Sequence, residues 1–85
     1  MSKCVVVLVT CPSAAQAQHM ARELVRRRVA ACVNVLPSLT SWFWWEGKVD
    51  RAKETLLIVK TVSSRFPHLQ RAIRASVETA VVTSF

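Results

Sequence analysis

The side chains able to hold a metal ion or carry covalent chemistry in this 85-residue sequence are three cysteines, two histidines and five carboxylates. Thiolates favour soft and borderline ions such as copper and zinc, so spacing decides whether any of them converge. Cys4 and Cys11 lie seven positions apart in one β-branched run. In a strand, at about 3.3 Å per residue, that is roughly 23 Å with the two side chains on opposite faces. They cannot share one ion within a chain. The odd cysteine count and the lack of a C-x-x-C pair read as reduced thiols in a reducing, cytoplasmic compartment. Cys32, inside Ala30-Ala31-Cys32-Val33-Asn34, reads as a small apolar core residue, and His19 and His68 as solvent-facing helix residues. There is no Ser-His-Asp or Cys-His constellation and no carboxylate pair in an apolar setting, and the single Gly excludes a glycine-rich phosphate loop. The sequence predicts no enzyme.

These residues sit in a chain sized for one domain spanning 1–85, close to the length at which a lone core buries only about 60% of the unfolded surface. With 52% hydrophobic residues and one Gly, long regular elements are expected rather than disorder. Twelve Lys and Arg against five Asp and Glu give a formal charge of +7, a balance open to nucleic acid, acidic lipid or small anions. Lys3 and the run Cys4 to Val9 imitate a secretory signal, but Pro12 interrupts the pattern and the same residues make a better core strand. No apolar stretch reaches the length of a membrane-spanning helix, so no membrane partner is expected.

Residues 4–11, apolar or β-branched throughout, read as a central strand covered on both faces. Ser13 followed by Gln16 fits a capping box, and Ala17, Met20, Ala21, Leu24 and Val25 mark the inward stripe of a helix ending near Arg28. From Ala30 to Trp45 the period is that of a strand, bent or divided at Pro37 and Ser38. Glu46-Gly47 reads as a hairpin turn, and the return strand over 48–62 is polar in its first half and apolar in its second. Ser63 or Ser64 can cap a second helix with Leu69, Ala72, Ile73 and Ser76 inward, and 77–85 reads as a last strand.

The order is βαββαβ, an α+β ferredoxin-like sandwich with a long β2-β3 hairpin, both helices on one face of an antiparallel sheet. The other face has no helix. Yet Val6 and Leu8 lie opposite in direction to Val5, Val7 and Val9, as do Leu56 and Ile58 to Leu57 and Val59. With both faces apolar, a second subunit is expected to cover the open one.

Val7-Leu-Val-Thr-Cys-Pro12, Arg28-Val-Ala-Ala-Cys-Val-Asn-Val-Leu-Pro37, Trp45-Glu-Gly-Lys48 and Leu57-Ile-Val-Lys-Thr61, in this order and at this spacing, resemble the CutA divalent-cation-tolerance family over roughly residues 5 to 74. The resemblance implies a ferredoxin-like protomer, a homotrimer in which the hairpin strands pair between subunits, and a role linked to copper or another divalent cation. It also implies a His-Pro-Tyr-Glu-like motif after the second helix, then a strand and a final helix. At that place this sequence reads Ala75-Ser-Val-Glu-Thr-Ala-Val-Val82, so the family's C-terminal strand and helix are expected to be missing. Of the motif Glu78 remains. Cys11, near where relatives can carry a first-strand cysteine, and Glu78 are the metal ligands carried over, provided the last strand pairs beside the first. As a mixed-softness pair they need further donors, from other subunits.

The run Trp42-Phe43-Trp44-Trp45 places Trp42 and Trp44 on one strand face and Phe43 and Trp45 on the other. Aromatics beside basic residues can stack bases, as in single-strand readers of similar topology. Those readers carry them on central strands; here they cluster at a hairpin end, so Trp42, Trp44 and Trp45 are assigned to an oligomer interface. A scaffolding trimer without a metal role and a basic single-stranded nucleic-acid binder are the alternatives.

Overall fold

The computed structural model describes residues 3–74 and 80–82. The elements are β1 (Cys4–Cys11), α1 (Ala14–Arg26), β2 (Cys32–Trp45), β3 (Lys48–Val62), α2 (Phe66–Arg74) and β4 (Ala80–Val82). Every pair of neighbouring strands is antiparallel, and the sheet order is β2-β3-β1-β4. This is the ferredoxin-like arrangement, in which each helix crosses over one intervening strand. β1 lies between β3 and β4, the central position its sequence predicts, but only one of its faces is covered: Val5, Val7, Val9 and Cys11 are buried, while Val6, Leu8 and Thr10 are half-buried.

Local chemistry sets the ends of α1. Ser13, in extended conformation, accepts a hydrogen bond on its Oγ from the Gln16 amide at 3.1 Å, the capping interaction its type and position predict. At the other end Arg28 adopts φ 59°. Its amide donates to the Val25 carbonyl at 3.0 Å, and the Val29 amide to Leu24 at 3.1 Å. This is a complete Schellman closure with arginine in the position glycine ordinarily takes. The Ala30 amide also returns to the Leu24 carbonyl, so residues 29–30 finish the helix and β2 begins at Cys32 rather than at Ala30.

Three further expectations are corrected. Val25 is 43% exposed, so the inward stripe of α1 is Ala17, Met20, Ala21 and Leu24. Ser63 does not cap α2: it opens a 3-10 turn, Ser63–Arg65, and its hydroxyl and amide bond the backbone of Lys3 instead. That tie closes the start of β1 onto the end of β3. The last strand occupies Ala80–Val82, and the rest of 77–85, like Ser76, lies outside the described residues.

β2 is one strand with a bulge. Leu36 faces Leu56 and Leu39 faces Glu54, so Pro37 and Ser38 together oppose one residue, with Ser38 at φ 64°. Proline has no amide to give the ladder, and a bulge is where a strand tolerates that. Glu46 (φ 51°) and Gly47 (φ 75°) make the turn to β3, both left-handed as a two-residue type I′ hairpin requires.

The core lies between the sheet and the helices. Val7, Val9 and Cys11 of β1 and Leu57 and Val59 of β3 meet Met20 and Leu24 of α1 and Leu69 and Ile73 of α2. Thr61, otherwise a buried hydroxyl, donates to the Val29 carbonyl at 2.8 Å.

Candidate functional site

The sheet surface opposite the helices follows from the strand registers. Leu8 pairs with Ile58, Val6 with Lys60 and Thr10 with Leu56. On the other side of β3, Asn34 pairs with Ile58, Cys32 with Lys60 and Leu36 with Leu56. Val6, Leu8, Leu56 and Ile58 are half-buried and Leu36 is 45% exposed. Cys32 stands at the edge of this surface and is exposed. Its assignment to the core is corrected: the small apolar motif around it is split by strand alternation, and Cys32 falls on the side without a helix.

Beyond this surface the hairpin continues alone. β1 ends at Cys11, opposite Thr55, so Lys48 to Glu54 pair only with β2. This gives the chain its 45 Å long axis against 23 and 20 Å. The aromatics occupy that two-stranded ribbon: Trp42 faces Arg51, Phe43 faces Asp50, Trp44 faces Val49 and Trp45 faces Lys48. Trp42, Trp44 and Trp45 are 65, 75 and 61% exposed. The Arg51 guanidinium lies 5.6 Å from the Trp42 ring centroid, a cation–π interaction of about 0.5–1 kcal/mol at an exposed site. A two-stranded ribbon is marginal by itself in water, and large apolar rings on it are suited to an interface core.

Cys11 is fully buried at the end of β1. Burial pushes its thiol pKa up, and the charge of Glu54 adds to the shift. In the chain by itself it is therefore held as the neutral thiol. Ala80, two residues after Glu78, pairs with Val9, two residues before Cys11, so the last strand does run beside the first. Glu78 itself lies outside the described residues. Among the described residues no three His, Cys, Asp or Glu side chains gather as a metal site.

Glu23 carries no signal of a site in the sequence beyond standing four residues after His19 on the same side of α1. Both line a cleft between α1 and α2 floored by Met20, Leu24 and Ala72. Glu23 is engaged there by Arg26, whose Nε and Nη2 donate to its two oxygens at 2.6 and 3.0 Å. That hydrogen bonding, followed by the charges of Arg26, Arg27 and His19, lowers the Glu23 pKa to about 2 against the opposing effect of partial burial.

The family model described as "CutA1 divalent ion tolerance protein" matches residues 5–84. The chain belongs to the CutA1 family. A divalent-cation tolerance protein CutA of Thermus thermophilus is 47% identical over 70 residues, which is 82% of this chain and 68% of that protein. The solved structure of the Cut A1 protein from Thermus thermophilus superposes with a TM-score of 0.87 at 39% identity, covering 96% of this chain and 82% of the other. That of CutA from Archaeoglobus fulgidus, described as periplasmic, gives 0.86 at 36%, covering 96% and 81%. Membership of CutA1 ties the chain to divalent-cation tolerance, and the solved relatives share the ferredoxin-like fold built here from the registers.

Proposed function

We propose that this CutA1 chain works as a homotrimer in divalent-cation tolerance, that copper is the ion it responds to, and that the trimer binds copper weakly through donors from more than one subunit. The observation that carries the reading is the pairing of an apolar sheet face lacking helices with a ribbon of three exposed tryptophans. A chain of 85 residues gains little from a core on one side of its sheet alone, and a copy of itself supplies an apolar surface of the same kind.

For the metal, Cys11 and Glu78 are the donor pair. β4 pairs with Val7 to Val9 of β1, two residues short of Cys11, and copper binding is the event that draws the proton from a thiol otherwise held neutral. The three thiols, none in a disulfide, favour the reducing environment of the cytoplasm over the periplasm. No catalytic step is assigned.

Equilibrium dialysis of the assembled protein against copper and against zinc tests the metal reading. Copper retained by the wild type and lost in both Cys11→Ala and Glu78→Gln is the expected result. Retention that neither substitution changes removes this donor pair, and no retention at all leaves assembly without a metal role.

A further inference from the structure

The positive charge of the molecule is not spread over it. Of its eight arginines, seven lie in the helical segments 13–28 and 63–74: Arg22, Arg26, Arg27, Arg28, Arg65, Arg71 and Arg74. All seven are exposed. Those segments hold one acid, Glu23, and no lysine, so they carry six of the seven net positive charges. Elsewhere five cations stand against four acids. This basic layer covers the face of the sheet opposite the one assigned above to subunit association.

Two of the arginines are brought together by the fold from distant sequence. Arg28, just past α1, and Arg65, just before α2, border one surface depression floored by Val25, Ala30, Ala31 and Val62. Arg28 holds φ 59°, a left-handed conformation that favours glycine over a residue with a side chain. Neither Arg28 nor Arg65 takes part in a salt bridge with a described residue. Guanidinium groups suit phosphate better than ammonium groups do, because their planar donors bind two oxygens at once.

We propose that this helical layer is a docking surface for the phosphate backbone of duplex nucleic acid, with Arg28 and Arg65 gripping phosphates at one end of it, where α1 stops and α2 starts. The surface carries no stacking platform for single strands: its one aromatic ring besides the histidines, Phe66, packs against the core, and the tryptophans are on the ribbon. Nor does it suit a lipid surface, which needs apolar anchors on the membrane side. The stripes of both helices are spent on the sheet, and Val25 is the single large apolar side chain exposed on the described part of this layer. The proposal rests on the subunit alone and does not depend on the trimer.

Fluorescence anisotropy of a labelled DNA duplex, titrated with the full chain at several salt concentrations, tests it. Binding should weaken steeply with salt and show no sequence preference, because counterion release drives it. The double variant Arg28→Gly, Arg65→Ala should bind roughly 60-fold less tightly at about 0.1 M salt. Its log–log salt slope should be smaller by about 2, at about 0.9 for each phosphate no longer neutralised. Glycine is at ease at the Arg28 backbone position, so weaker binding cannot be put down to misfolding, and Arg51→Ala on the ribbon should leave the slope unchanged. Absence of duplex binding at low salt, an unaltered slope in the double variant, or capture by anionic phosphatidylserine vesicles in preference to duplex would each overturn the proposal.

Discussion

On the helix side of the sheet Val7, Val9, Leu57 and Val59 are shut away from solvent, whereas their immediate neighbours Val6, Leu8, Leu56 and Ile58 on the far side remain half exposed. The two sets come from the same strands and are of the same residue types, so intrinsic strand propensity does not distinguish them. What differs is the cover. α1 and α2 supply the apolar stripes that exclude water from one face, and no element among the described residues does so for the other. Burial in this fold is a property of position relative to the helices, and the half-exposed apolar side chains of the open side are the surface that the proposed trimer would cover.

The largest expected effect separates the two faces directly. Leu57→Ala removes a fully buried side chain and should lower stability by about 2–5 kcal/mol, read as a shift in the urea midpoint. Ile58→Ala, one residue along, should change unfolding less when both are measured at concentrations low enough to dissociate subunits. Equal losses at low concentration would erase the distinction. Next in size, Leu8→Lys puts a charge on the open face and should leave the subunit folded by circular dichroism while abolishing assembly by sedimentation. A trimer that survives this change is not held by that face.

A smaller effect, of opposite sign, comes from Arg28→Gly, which should raise stability by about 1 kcal/mol by relieving the left-handed backbone at the end of α1. The smallest concerns Glu23, whose folded pKa of about 2 lies below its ordinary 4.5. The contribution of a carboxylate with a lowered pKa is fully present above its unfolded value and is lost as pH falls through the folded one. The wild type should therefore lose slightly more stability between pH 4.5 and 2 than Glu23→Gln does. The pair is solvent-exposed, and salt should shrink the difference.

Much of this was legible in the sequence because it depends on local pattern. Strand alternation in 4–11 and 56–62, the Ser13 cap and the Glu46-Gly47 turn rest on rules with a range of a few residues, and the element order followed from them. The misplacements arose where a tertiary choice intervened. Cys32 belongs to a small apolar motif, but which of its residues faces the helices depends on the register of β2 against β3. Val25 has helical spacing yet lies at the edge of the stripe, bordering an open depression beside Ala30, Ala31 and Val62. Ser63 is a sound capping residue, but the start of β1 arrives to claim its hydroxyl. The clustering of seven arginines on one layer follows from the sequence once both helices are placed on the same face, but the approach of Arg28 to Arg65 depends on how the end of α1 meets the start of α2.

Light scattering of the wild-type chain at micromolar concentration, in chelator and again after copper addition, measures whether the open face and the ribbon bring three copies together. Three times the 9.5 kDa chain mass is expected in both conditions, since apolar burial rather than metal would hold the subunits of the proposed trimer together. A folded, soluble monomer would contradict it, because Val6, Leu8 and the ribbon tryptophans would then face water with nothing to cover them.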